Sequence, residues 1–169
     1  HDRFMAEQAP NDGHKKNVIE KRHTHVGLGF YLTGSNFRYY EEYIDRYLEF
    51  ISYETTVKSG VRTTITVRPL DPAFLVYAAI GFYEPIPSPL TPSQITARAS
   101  YPDYTNVTAF SLWPWQIAKK EDRSWDISFT PTQKGLYYIN IFLDTKPYTG
   151  GEASIWGKLQ ASGLVIRVQ

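Results

Sequence analysis

Residues 125 to 141 read WDISFTPTQKGLYYINI and carry the strongest strand signal in the chain. From Trp125 to Phe129 every second residue is large and apolar, which is the period of two that a half-buried β-strand produces. Pro131 and Gly135 then interrupt the chain, and a second alternating run follows. Two such runs joined by a short turn predict antiparallel strands whose large side chains face a common core.

The same stretch resembles the F-strand region of bacterial immunoglobulin-like domains, where a strand ending in Phe-x-Pro turns through glycine into a tyrosine-centred strand. The matching positions are Phe129, Pro131, Gly135 and Tyr137. The resemblance implies an immunoglobulin-like antiparallel β-sandwich in which the Tyr137 ring is buried and its hydroxyl bonds backbone groups at the corner. It implies no activity, because this architecture carries many unrelated functions.

Strand signals continue along most of the chain. An apolar run from Phe74 to Tyr83 is typical of a strand covered on both faces. A hairpin turn is expected at residues 58–60. Further strands are predicted at Val26–Thr33, Glu49–Val57, Val61–Val67, Gln94–Ser100, Thr105–Leu112, Ser154–Leu159 and Leu164–Val168. Strands at this spacing predict an all-β fold built as an antiparallel sandwich.

Two segments depart from the strand pattern. Residues 1–24 are polar and lack apolar periodicity, so they predict an N-terminal arm or flexible segment. Residues 37–48 place apolar side chains at helical spacing and predict one short helix, although their tyrosines also favour a strand. A length of 169 residues fits one domain. The expected organisation is an arm at 1–24 and a single β-sandwich domain at 25–169.

Composition excludes several functional classes. The 18 Lys and Arg nearly balance the 17 Asp and Glu, which argues against a nucleic-acid partner. The absence of cysteine excludes disulfide scaffolds, iron–sulfur clusters and thiol catalysis. No apolar run reaches the roughly 18 residues of a membrane span. No Gly-x-Ser-x-Gly or phosphate-binding loop is present, so the sequence favours a non-catalytic protein.

The compartment depends on how the chain starts. Its single methionine is Met5, which leaves either a cleaved signal peptide or extra residues ahead of a native start. A cysteine-free β chain rich in Tyr and Thr favours a secreted or periplasmic protein. A native start at Met5 would instead indicate the cytoplasm.

Aromatic residues are the best functional lead, with 13 Tyr, 9 Phe and 4 Trp. A Trp-Pro-Trp segment places two indoles on a stiffened stretch of chain. Rigid exposed rings anchor protein partners or stack on sugars, whereas the structural alternative is that they cover the ends of the sandwich. The predicted partner-binding residues are Trp113, Trp115, Tyr101, Tyr104, Tyr148 and Trp156.

The histidines offer a metal-binding alternative. His23 and His25 are two apart, so on an extended chain they face one side, and His14 is a candidate third ligand. If His1 is the mature terminus, its amino group and ring resemble the copper clip of copper-dependent polysaccharide monooxygenases. Members of that family take a second histidine from deep in the fold, where this chain has none. The structural alternative is a solvated terminal segment.

We therefore expect a non-catalytic exported module without a cofactor, which contacts a protein partner or a second copy of itself through aromatic surface. A carbohydrate-binding module is the first alternative, and a copper- or zinc-binding redox protein is the second.

Overall fold

The computed structural model describes residues 2–98 and 107–169, with only the backbone for Ser162. Within these residues the chain forms eleven strands and three short α-helices. Contacts divide it into two compact units, His1–Arg46 and Tyr47–Gln169. The domain boundary expected between residues 24 and 25 remains a prediction. None of the described helices combines the length and apolar character that crossing a membrane requires.

The first unit consists of two short helices followed by a β-hairpin. Helix α1 is Asp2–Met5, α2 is Gly13–Val18, and the strands are β1 (His25–Thr33) and β2 (Asn36–Ile44). The strands pair antiparallel along their full length. The β1 strand confirms the prediction for residues 26–33.

The helix predicted for residues 37–48 is wrong, because residues 37–44 belong to β2 and none of residues 45–48 is helical. Cross-strand pairs decide the outcome: Phe30 lies opposite Tyr39, and Leu32 lies opposite Phe37. Aromatic and aliphatic pairs of this kind stabilise a two-stranded sheet. Gly34 opens the two-residue loop with a φ of 54°, at the position where type II′ hairpin turns favour glycine.

Part of the predicted N-terminal arm is helical and bonded to its own unit. The Glu7 carboxylate accepts hydrogen bonds from the backbone N–H groups of His14 and Lys15, at 3.0 and 3.2 Å. These groups lie in the first turn of α2, where a carboxylate stabilises free N–H donors. Further along, the Thr24 N–H donates to the Ile44 carbonyl at 2.9 Å. The end of the arm is therefore hydrogen-bonded to the last residue of β2, at the base of the hairpin.

The second unit is a β-sandwich. A five-stranded sheet has the order β4-β11-β10-β6-β7, and a four-stranded sheet has the order β3-β5-β9-β8. All pairs are antiparallel except β11 with β4. The strands are β3 (Leu48–Ser52), β4 (Thr56–Val57), β5 (Thr63–Pro69), β6 (Leu75–Glu84), β7 (Thr108–Leu112), β8 (Ala118–Lys119), β9 (Trp125–Phe129), β10 (Gly135–Asp144) and β11 (Leu159–Val168). This architecture confirms the predicted all-β sandwich-like fold.

The core between the sheets is filled by the alternating residues that the sequence singled out. Ile127 and Phe129 from β9 pack with Tyr137 and Ile139 from β10 in one buried cluster. Tyr137 is only 2 % exposed, and its hydroxyl accepts a hydrogen bond from the Gln133 N–H at 3.2 Å. Both roles expected of Tyr137 at this corner are confirmed.

Three local predictions in this unit are wrong. The 58–60 turn joins β4 to β5, which lie in different sheets, so it is not a hairpin turn. Within Gln94–Ser100 the described residues begin in helix α3 (Pro92–Thr96), whose Thr91 side chain accepts from the Gln94 N–H in a capping box. Ser154–Leu159 is mostly irregular, and the last strand is one continuous β11.

Candidate binding site

The outer face of the five-stranded sheet carries a second apolar cluster. Tyr77, Ala78 and Ile80 from β6 and Phe142 from β10 are buried there, away from the main core. Their cover comes from loops. Half-buried side chains that pack on this cluster include Trp113, which follows β7, Tyr148, which follows β10, and Ile155, which precedes β11. The sheet is therefore apolar on both faces, as predicted for the run from Phe74 to Tyr83.

The Trp-Pro-Trp segment is held by a short 3₁₀ turn, Pro114–Gln116. The Gln116 side-chain oxygen accepts from the Trp113 N–H at 3.1 Å, and the Gln116 N–H donates to the Trp113 carbonyl at 2.8 Å. Proline at the start of the turn fixes the backbone angle there. Both indoles therefore project from a braced stretch of backbone.

Three of the six predicted aromatic residues form one group. The rings of Trp113 and Trp115 lie 6.4 Å apart between centroids and 21° from parallel. The Trp115 and Tyr148 rings lie 5.0 Å apart at a tilt of 46°. The Tyr148 hydroxyl donates to the Gly151 carbonyl at 2.6 Å, and this bond within the loop holds the Tyr148 ring in place. Since Tyr148 follows β10 and lies far in sequence from the turn that carries both indoles, only the fold brings its ring to them.

A pocket of about 320 Å³ opens beside this group. Trp115 is 59 % exposed and forms part of its wall, so an aromatic face is accessible to a ligand. Most of the lining is apolar, and the residues are Leu75, Val76, Tyr77, Pro114, Trp115, Trp125, Lys146, Pro147 and Tyr148. Its size is at the lower end of the roughly 300–1,000 Å³ that small-ligand pockets span.

An ion pair flanks the pocket. The Lys158 ammonium bonds the Asp144 carboxylate and lies 4.4 Å from the centroid of the Tyr77 ring, a cation–π geometry. Burial raises the pKa of Asp144, but the bond from Lys158 and nearby backbone N–H groups outweigh it and leave the pKa below its ordinary value. Asp144 also accepts from the Lys146 N–H at 3.1 Å, so it orients the loop that carries the pocket wall.

The other predicted aromatic residues fare differently. Trp156 is 91 % exposed at a turn and does not line the pocket, although its neighbour Ile155 packs on the outer cluster. Tyr101 and Tyr104 lie outside the described residues. Sequence reasoning missed Tyr77 and Lys146. Tyr77 lies inside a uniformly apolar run, and nothing in the sequence shows which of its residues face the pocket.

The predicted metal ligands do not form a group in the part of the chain that the structure describes. His14 Nδ1 lies 2.7 Å from Glu7, and His23 Nδ1 lies 2.7 Å from Asp45. His25 Nδ1 lies 2.9 Å from its neighbour's hydroxyl. No cluster of three or more metal-ligating residues occurs among the described positions. His1 lies outside them.

A second exposed surface belongs to the β1–β2 hairpin. One face carries large apolar side chains from both strands, and all are exposed: Val26, Leu28, Phe30, Leu32, Phe37 and Tyr39. Glu41 shares this face, and its carboxylate accepts a hydrogen bond from Tyr43, which raises the pKa of Tyr43 to about 12. Sequence reasoning missed this surface because it expected a helix beside β1.

The chain matches no model of a known protein family, and no curated protein matches its sequence significantly.

Proposed function

We propose that this protein is a non-catalytic, exported binding module. Its sandwich contacts a protein partner through the 320 Å³ pocket beside Trp115, called the Trp115 pocket below. The observation that carries the proposal is the exposed Trp115 indole beside a mostly apolar cavity. Braced aromatic rings around such a cavity provide binding energy at little entropic cost, as in the hot spots of protein interfaces.

The polarity of the pocket favours an apolar side chain over a sugar. Its one charged side chain is Lys146, and the other polar groups are the hydroxyls of two tyrosines and the N–H groups of two indoles: Tyr77, Tyr148, Trp115 and Trp125. The Tyr148 hydroxyl already donates to Gly151, and the described lining holds no carboxylate or side-chain amide to accept from a sugar hydroxyl. A sugar ring presents several hydroxyls, each of which costs free energy if it is buried without a partner. A proline, leucine or isoleucine side chain carries no such requirement. We therefore assign the pocket to an apolar anchor residue of a partner chain.

The hairpin surface supports the same class of function. Phe30 is 78 % exposed at the centre of a face that carries six large apolar side chains. Contiguous apolar patches of this kind mark interaction surfaces in folded proteins. Export rests on composition: a chain without cysteine that is rich in tyrosine and threonine. Fractionation of the source cells, with an antibody to this chain, tests the export part of the proposal.

A fluorescence titration with a panel of peptides tests the binding function. Short synthetic peptides with a single central Pro, Leu, Ile or Ala, and soluble glycans of similar mass, are titrated while tryptophan fluorescence is followed. We expect saturable changes with Pro, Leu or Ile peptides and none with Ala peptides. Trp115→Ala should weaken binding by about tenfold or more, the usual loss when a hot-spot ring is truncated.

Trp156→Ala is the matched control, because it removes an exposed indole that does not line the pocket. It should leave the affinity within about twofold of the parent chain. Equal losses for the two variants would refute the pocket as the binding site. Glycan binding that depends on Trp115 would replace the protein partner by a carbohydrate.

A further inference from the structure

A larger cleft lies at another part of the sandwich and shares no lining residue with the Trp115 pocket. Its volume is about 570 Å³, within the range of small-molecule sites. Hydroxyl groups and charged side chains contribute much of its lining. The residues that matter for its chemistry are Tyr53, Glu54, Thr56, Lys58, Arg62 and Thr64.

The backbone that carries this cleft is tied at several points. The Ser59 N–H donates to the Gln169 carbonyl at 3.0 Å, and the Gly60 N–H donates to the Pro131 carbonyl at 2.8 Å. Gly60 has a φ of 77°, a conformation that glycine adopts without strain. This turn from β4 to β5 therefore presents its flanking side chains from a defined frame, which lowers the entropic cost of binding.

Two cations flank that turn. Among the described residues, neither Lys58 nor Arg62 has a carboxylate within ion-pair distance. Arg68, further along in β5, differs from these two cations because its guanidinium bonds the carboxylates of Glu49 and Asp122 at 3.3 and 3.1 Å. The charges of Lys58 and Arg62 thus remain available to an anionic ligand, and the planar arginine fork suits a carboxylate.

The remaining groups match a hydroxylated ligand. The Thr56 hydroxyl can donate to or accept from a ligand hydroxyl, and the Glu54 carboxylate can accept from one. The Tyr53 ring is supported edge-on by Phe50, with centroids 5.4 Å apart and planes at 61°. An exposed, supported ring of this kind offers a stacking surface for a sugar. By contrast, the Trp115 pocket lacks this density of hydrogen-bonding side chains.

We propose that the cleft between the 52–58 segment and the start of β5 binds an acidic saccharide, with Lys58 and Arg62 holding its anionic group. Thr56 and Glu54 bond its hydroxyls, and a sugar ring lies against Tyr53. This site is separate from the proposed partner pocket, and either can fail without the other. The acidic group is a carboxylate, as in a uronic acid, or a sulfate ester.

Isothermal titration calorimetry on the full chain distinguishes these ligands. The probes are trigalacturonate, a heparin tetrasaccharide, neutral maltotriose and inorganic tripolyphosphate, all at low salt. We expect saturable binding of one or both acidic saccharides, with affinity at least about tenfold above that of maltotriose and of tripolyphosphate. Preference for trigalacturonate identifies the carboxylate, and preference for the heparin fragment identifies the sulfate. Equal affinity for tripolyphosphate would reduce the cleft to a general anion site and overturn the proposal.

Variants locate the binding. Arg62→Gln and Lys58→Gln should each weaken acidic saccharide binding by about tenfold. Lys21→Gln is the matched control: it removes one exposed cation outside the cleft lining and should change the affinity less than twofold. Since Lys58 and Arg62 are exposed, both variants should keep the parent circular dichroism spectrum. Unchanged binding in Lys58→Gln/Arg62→Gln, or an equal loss in Lys21→Gln, contradicts the assignment.

Discussion

Replacement of Gly81 by alanine tests how closely the edge strand β7 packs on β6. Gly81 lies opposite Phe110 in the β6–β7 pair, and the phenyl ring covers the glycine. An alanine methyl at residue 81 would lie 2.2 Å from Cε1 of Phe110, so the ring would have to move by about 1.2 Å to reach ordinary contact. Phe110 stacks on Phe129 at a centroid distance of 4.4 Å, which limits that movement.

The expected cost follows from two opposing effects. Overpacking of this kind costs about 1–3 kcal/mol. Alanine recovers about 0.4–1 kcal/mol, because it restricts the unfolded chain more than glycine does. The two ranges together allow a net loss between about 0 and 2.6 kcal/mol, and because Phe129 limits the movement of the ring we expect Gly81→Ala to lower the free energy of unfolding by roughly 1–2.5 kcal/mol. In a Phe110→Ala background the obstacle is absent, and Gly81→Ala should be neutral or stabilising.

Urea unfolding followed by tryptophan fluorescence measures these differences, since all four tryptophans lie in the sandwich unit. Gly163→Ala in β11 is the matched control, because a methyl there meets only Asn140 Oδ1, at 3.5 Å. It should be neutral or stabilise by up to about 1 kcal/mol. If Gly81→Ala costs the same with and without the Phe110 ring, the close packing inferred between β6 and β7 is refuted.

Three further substitutions probe separate features. Tyr137→Phe should lower the free energy of unfolding by about 0.5–1.5 kcal/mol in urea titrations, because Gln133 loses its acceptor; no change would mean that the corner bond is energetically idle. The pKa of Asp144 is lower in the folded protein than its ordinary value of about 4, so the ionised carboxylate stabilises the fold above that pH. This stability is lost as the pH falls through the pKa of Asp144 in the folded protein. Asp144→Asn should therefore flatten the acid end of a plot of stability against pH, and an unaltered plot contradicts this. Phe30→Ser should change the free energy of unfolding, measured by thermal denaturation followed by circular dichroism, by less than about 1 kcal/mol. It should also reduce the binding of an apolar dye, whereas a variant that unfolds would show that Phe30 is part of a core.

Strand periodicity predicted the sandwich well where one face of a strand is buried. From Trp125 to Phe129 and from Gly135 onward, every second side chain enters the core, so burial imposes the same period that the sequence shows. Prediction failed at residues 37–44, where apolar residues at helical spacing form β2 instead. Pairing with β1 decided that segment, and pairing is a long-range interaction that local spacing does not encode.

The candidate site was predicted only in part for the same reason. Trp113, Trp115 and Tyr148 were singled out as residue types suited to binding, and the structure places their rings side by side. Tyr77 and Lys146 were missed. They reach the pocket because the fold brings β6 and the loop after β10 together beside the Trp-Pro-Trp segment.

The class of fold could be predicted from the amino-acid sequence alone, because alternation of apolar and polar residues is a local property of any strand with one buried face. The sequence also determined which side chains were available for recognition. The packing of the two sheets sets which of these side chains meet, and it makes the 58–60 turn cross between sheets with Lys58 and Arg62 beside it. Those outcomes depend on contacts between residues distant in the chain, whose free energy exists only once the two sheets have packed.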